Sequence, residues 1–121
     1  MESKVVCKIW IDRNGKAFGD GPYELLKGVD KTGSLHKAAG QMEMAYSKAW
    51  QLIRMMERRL GFFLLSRKVG GRSGGGSQIT PRAKSLMECY GKFREEAEEA
   101  IETIYQKHFS PFDESLKKRK K

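Results

Sequence analysis

The chain has 121 residues with 24 Lys+Arg against 15 Asp+Glu, a formal net charge of +9, and 39% hydrophobic residues. That suffices for one modest core. No apolar run approaches the roughly 20 residues that span a bilayer, so neither a membrane span nor a signal segment is expected, and the cationic excess points to an anionic partner.

In chain order, residues 4–12 alternate Val5, Cys7, Ile9 and Ile11 against Lys4, Lys8 and Asp12, which predicts a half-buried strand. Trp10 falls on the opposite face and is expected to cover a neighbouring element. Asn14-Gly15 is a hairpin turn signal, and Ala17-Phe18 begins a returning strand. Pro22 suits the first turn of a helix whose apolar face is Tyr23, Leu25, Leu26 and Val29, ending at Thr32-Gly33. Ser34 caps a short second helix that stops near Gly40. A turn at Met42–Met44 leads to a third helix, Ala45 to Leu60, with Ala49, Leu52, Ile53, Met56 and Leu60 on one face and Gly61 as its stop.

Phe62–Lys68 reads as a strand, Gln78-Ile79 as its partner, and Thr80-Pro81 as the start of a fourth helix running to about His108. Its apolar positions Leu86, Tyr90, Phe93, Ala97, Ala100 and Ile104 step by 4, 3, 4, 3 and 4. A heptad sustained that far is a seam for a second helix, so these residues are the expected dimer interface. The domain boundaries follow: 1–80 a first domain that opens with the β-hairpin, 81–109 a dimerisation helix, 110–121 a disordered basic tail.

Charge is unevenly spread. Residues 31–84 hold eleven basic residues and two acids, Glu43 and Glu57; residues 88–116 hold three basic and eight acidic residues; KKRKK closes the chain. Between the predicted strands, KVGGRSGGGSQITP packs five glycines into seven positions around Arg72. It lacks the Lys-Ser/Thr pair of a phosphate-cradling loop. Set between two strands and behind two short helices, it reads as the wing of a winged helix-turn-helix, with the glycines allowing close approach to the nucleic-acid backbone.

The third helix is then the recognition helix, and Tyr46, Ser47, Lys48, Gln51 and Arg54 are its reading residues. Trp50 is expected to prop it, half-buried. Lys37 on the second helix is a candidate clamp for the DNA backbone, and Thr80 either opens a helix N-terminus whose N–H groups hold a phosphate or caps the fourth helix alone. Arg58 and Arg59 lie far from the helix start, either on phosphates or as solvated charge. The fold class is mainly α with small β elements.

The run TGSLHKAAGQMEMAYSKAWQLIRMMERRLG, followed by the glycine wing and ITPRAKSLM, resembles the N-terminal DNA-binding domain of the molybdate-responsive ModE regulators, relatives of the LysR-type winged helices. The resemblance covers about residues 20–108. It implies a homodimer joined by the long helices on a palindromic operator, with DNA contacts at Ser47, Lys48, Arg72 and the wing glycines Gly74, Gly75 and Gly76. ModE regulators continue into oxyanion-binding domains, whereas this sequence runs on only to FSPFDESLKKRKK. The expectation is a stand-alone form without its own molybdate site, acting without an effector or with a separate effector-sensing partner.

A competing reading is a low-specificity chromosomal DNA- or RNA-binding protein driven by charge. Catalysis is not expected: His36, His108, Cys7 and Cys89 are scattered and share no metal-ligand or catalytic spacing. No cofactor is expected. The cysteines read as reduced structural thiols, which places the protein in the cytoplasm.

Overall fold

A computed structural model describes residues 3–68 and 76–118. Among them the order is β1 (Trp10–Asp12), β2 (Lys16–Gly19), α1 (Asp20–Thr32), α2 (Leu35–Gln41), α3 (Tyr46–Leu60), β3 (Leu65–Lys68), β4 (Gly76–Ile79) and α4 (Pro81–Lys118).

The β1–β2 hairpin turns through Asn14 and Gly15, both at positive φ (55° and 120°), as the Asn-Gly pair prescribes. It delivers Ala17 and Phe18 into the core, both fully buried. α1 buries Pro22, Leu25, Leu26 and Val29 and ends where Gly33, at φ 74°, returns its N–H to the Val29 carbonyl. Ser34 caps α2 by accepting from the Lys37 N–H at 3.0 Å. α3 turns Ala49, Ile53, Met56 and Leu60 inward and stops at Gly61, φ 87°. With Leu35, Ala38, Ala39, Leu64, Ile79, Ala83 and Tyr90 these side chains form one core.

Side chains lock the joints between elements. Glu57, in the last turns of α3, accepts the N–H groups of Leu64 (2.8 Å) and Leu65 (3.3 Å), so one of the two acids in the basic segment anchors the base of the β3–β4 hairpin. Arg59 donates to the Lys16 carbonyl at 2.6 Å and Arg13 to the Leu60 carbonyl at 3.3 Å, tying the first hairpin to the end of α3.

Several expectations need correction. Only Trp10–Asp12 of the predicted strand 4–12 is paired. The alternation upstream has another cause: the chain runs beside α4, where Ser3 meets Tyr105 and Asp113, and Val5, Cys7 and Ile9 are half-buried while Val6 and Lys8 are exposed. Trp10 is 50% exposed and covers no element; the Lys16 ammonium lies 5.0 Å above its ring.

α4 does not end near His108, and residues 110–118 are no disordered tail, since the helix passes Pro111 and reaches Lys118. Tyr105 stacks on Phe109 (4.8 Å), Phe109 meets Phe112 edge-on (6.2 Å), and the Ser110 hydroxyl donates to Gln106, interactions that carry the helix across the proline.

The boundary at residue 80 divides one packed unit. Ala83 and Tyr90 of α4 belong to the core, and Tyr90, expected in the dimer seam, is 3% exposed. Its ring packs edge-on against Phe18 (5.2 Å) and tilted against Tyr23 (5.1 Å). Its hydroxyl lies 2.5 Å from Asp20 Oδ1 and 2.9 Å from the Ile9 carbonyl oxygen, donating to these acceptors. Arg94 pairs with the same Asp20 and with Glu98 (3.2 Å). Burial and the hydrogen bond to Asp20 push the Tyr90 phenol far above its usual range. Burial would raise the Asp20 carboxyl, but hydrogen bonds from Tyr90 and Arg94 outweigh it and hold the group below its ordinary value.

Candidate nucleic-acid interface

The α2–turn–α3 unit is built by tight packing. A Cβ on Gly28 would meet the Ala38 Cβ at 2.9 Å, so α1 and α2 cross at glycine–alanine distance. Glu43, at φ 55°, then reverses the chain, with the Met44 N–H bonded to the Ala39 carbonyl at 2.9 Å. This aims the start of α3 outward.

On α3 the two faces separate cleanly. Ala49, Ile53, Met56 and Leu60 are buried, while Ser47, Gln51, Arg54 and Arg58, spaced by 4, 3 and 4, are exposed on the opposite side. Tyr46 and Lys48 flank the exposed stripe, and Tyr46 is 47% exposed. Trp50 is half-buried as expected, with the Arg54 guanidinium 5.2 Å over its ring. Lys37 stands exposed on α2. Neither Lys37 nor Lys48 is held in an ion pair among the described residues, so both ammonium groups face solvent.

The wing strands β3 and β4 pair antiparallel from Leu65↔Ile79 to Lys68↔Gly76. Arg72, Gly74 and Gly75 lie outside the described residues. Gly76 does lie inside them: a Cβ there would sit 2.6 Å from the Gly33 carbonyl oxygen, and the Ser77 N–H donates to that same oxygen at 3.0 Å. It is a glycine because two backbones meet there.

Thr80 is likewise drawn inward. Its hydroxyl donates to the Phe63 carbonyl (2.7 Å) and accepts from the Ala83 N–H (3.1 Å), so the side chain caps α4. Arg59 is spent on the hairpin, while Arg58 stays exposed.

Sequence reasoning passed over one feature of this face. Where α2, α3 and β4 converge, a hollow of about 340 Å³ is lined by residues that include Ser34, His36, Tyr46, Trp50 and Ser77. The His36 and Tyr46 rings stand 5.5 Å apart within it. Ser77 lies 41 positions beyond His36, and only the return of the wing strand beside Gly33 brings them together.

Among the described residues, no helix is long and apolar enough to cross a membrane, no group of three or more His, Cys, Asp or Glu is placed to hold a metal ion, and Cys7 and Cys89 are free.

Comparison with known proteins places this geometry. Residues 23–84 match the family described as bacterial regulatory helix-turn-helix protein, lysR family. Molybdenum-pterin-binding protein MopB of Rhodobacter capsulatus is 31% identical over 106 residues, 88% of this chain and 36% of that protein. Transcriptional regulator ModE of Haemophilus influenzae is 33% identical over 92 residues, 76% of this chain and 36% of its own length. The chain therefore spans about a third of these curated relatives. The solved CbnR_DBD–DNA complex superposes with a TM-score of 0.53 at 19% identity, covering 66% of this chain and 86% of that one. ArgP from Mycobacterium tuberculosis superposes with a TM-score of 0.51 at 23% identity, covering 70% of this chain and 30% of that one. At such identity the superpositions speak for the fold.

Proposed function

The chain belongs to the bacterial regulatory helix-turn-helix proteins of the lysR family, and from that membership we propose a transcriptional regulator that binds double-stranded DNA as a homodimer on an inverted-repeat operator. One observation carries the reading: α3 buries one apolar stripe and presents Ser47, Gln51 and Arg54, flanked by Tyr46 and Lys48, on the other. A helix so divided fits the major groove, about 12 Å wide, with hydrogen-bonding groups toward the base edges and cations toward phosphates. Lys37 is assigned to the backbone of the same stretch of DNA. The segment joining β3 and β4, with Arg72, Gly74 and Gly75, is assigned to the neighbouring minor groove.

The dimer reading rests on α4. Phe93 is 50% and Ile104 57% exposed, with Ala97 and Ala100 between them on the same heptad face. Half-exposed large apolar groups repeated along one helix face are what a second helix covers. Leu86 packs against the core and forms the near end of this seam. The curated relatives' names speak of molybdenum, and this chain matches 36% of the length of MopB.

Selection of binding sequences from a random duplex pool, followed by a salt series on the winner and a scrambled control, tests the reading. An enriched inverted repeat bound ~10³-fold tighter than the control is the expected result. No enrichment, with binding that simply vanishes as salt rises, would replace it by charge-driven association of low specificity.

A further inference from the structure

The hollow between α2, α3 and β4 has a one-sided chemistry. Ser34, His36, Tyr46, Trp50 and Ser77 each bring a side chain able to donate a hydrogen bond, and no carboxylate is among the lining residues. Four of the five, His36, Tyr46, Trp50 and Ser77, make no side-chain hydrogen bond to any described residue. The fifth, the Ser34 hydroxyl, only accepts from the Lys37 N–H, so its own proton is free to donate. None of these polar atoms is buried without a partner, and His36 and Tyr46 are exposed. Five side chains able to donate and no carboxylate, gathered in one hollow between the elements that carry Lys37 and Lys48, fit an oxyanion.

Resting on the DNA-binding reading, we infer that this hollow seats one phosphodiester group of the DNA backbone and that His36 holds it in its protonated form. Imidazole is the side-chain type whose charge changes between pH 5 and 8. The cations beside the hollow are Lys37, next to His36 on α2, and Arg54, whose guanidinium lies 5.2 Å over the Trp50 ring on α3. No acid lines the hollow, so the phosphate is the anion that meets His36 there. Proton uptake by His36 and DNA binding are therefore linked: each favours the other.

The test compares wild type and His36→Gln on a random-sequence duplex by fluorescence anisotropy, at pH 6 and pH 8 and matched ionic strength. Glutamine keeps a donor and cannot titrate, and the position is exposed, so folding is preserved. Wild type should bind about three- to tenfold tighter at pH 6 than at pH 8, the range of one charge-assisted hydrogen bond at a part-exposed site. The variant should lose that difference, and at pH 6 the slope of log K against log salt should become shallower by about one counterion. Equal pH and salt dependence in the two proteins overturns the inference and leaves the DNA reading intact. Failure of the wild type to bind duplex at either pH overturns the DNA reading itself. A parallel titration with inorganic phosphate follows the His36 imidazole resonances. Saturable shifts there, with DNA binding indifferent to His36→Gln, would make the hollow a site for a free oxyanion and overturn the assignment to DNA.

Discussion

Gly76 and Gly33 meet backbone to backbone: a Cβ on Gly76 would stand 2.6 Å from the Gly33 carbonyl oxygen. That oxygen is held in place by the Ser77 N–H at 3.0 Å, so it has little freedom to retreat. Gly76→Ala should force the wing strand off the α1–α2 turn and lower stability by about 1–3 kcal/mol, the usual penalty for overpacking. Thermal unfolding followed by circular dichroism measures it; an unchanged midpoint would mean the strand is not clamped there.

The Asp20 carboxylate carries the acid sensitivity of the domain. Its folded value lies below the ordinary one, despite burial, because Tyr90 and Arg94 hydrogen-bond its charged form. The contribution is present above the unfolded-state value of ~3.9 and is lost as pH falls through the lower folded value. Asp20→Asn should therefore flatten the loss of stability below about pH 5, with the two proteins converging at the acid end. The side chain is about a third exposed, so the difference should be modest. Denaturant unfolding at pH 7, 5 and 3 gives the comparison.

Two adjacent arginines should separate by role. Arg59→Ala removes the hydrogen bond to the Lys16 carbonyl and the guanidinium packed on Gly15, loosening the hairpin by about 1 kcal/mol. Arg58→Ala, on the exposed side, should stay within about 0.5 kcal/mol. Equal urea midpoints for the two variants would remove Arg59 from the fold's fastenings.

Lys48→Ala should weaken binding to the selected operator by about 1–3 kcal/mol while leaving the unfolding midpoint unchanged, because the side chain is exposed beside the outward stripe of α3. Undiminished affinity in anisotropy would take the start of α3 out of recognition.

Phe93→Glu should convert the dimer to monomer by placing two carboxylates in an apolar seam, at no comparable loss of domain stability, since Phe93 is half-exposed in the single chain. Sedimentation equilibrium decides the point. A persistent dimer would move the interface elsewhere.

Punctuation in the sequence was a reliable guide. Asn14-Gly15, Gly33 and Gly61 each mark a turn or cap whose backbone geometry few other residues adopt, Ser34 caps α2 through its hydroxyl, and each stands where the structure needs it. Periodicity was less decisive, because a repeat reports burial without naming the neighbour. Tyr90 keeps the heptad step of Phe93 yet is buried against Phe18 in its own domain. Residues 4–9 alternate like a strand although a helix, α4, covers one side of them. The run of α4 past His108 was not legible because the stacking of Tyr105 on Phe109 depends on a helix already formed. The hollow around His36 and Ser77 was illegible for a plainer reason: its walls come from three elements that only the finished fold assembles.

Because the Glu57 carboxylate grips the N–H groups of Leu64 and Leu65, the last turns of α3 and the root of the β3–β4 hairpin turn as one solid piece. On the proposed DNA complex this makes the protein a fixed-jaw calliper. A duplex whose adjacent grooves do not match the jaw spacing has to bend or twist to fit. The elastic work then falls on the nucleic acid, so stiff and pliable base steps are sorted at positions no side chain touches.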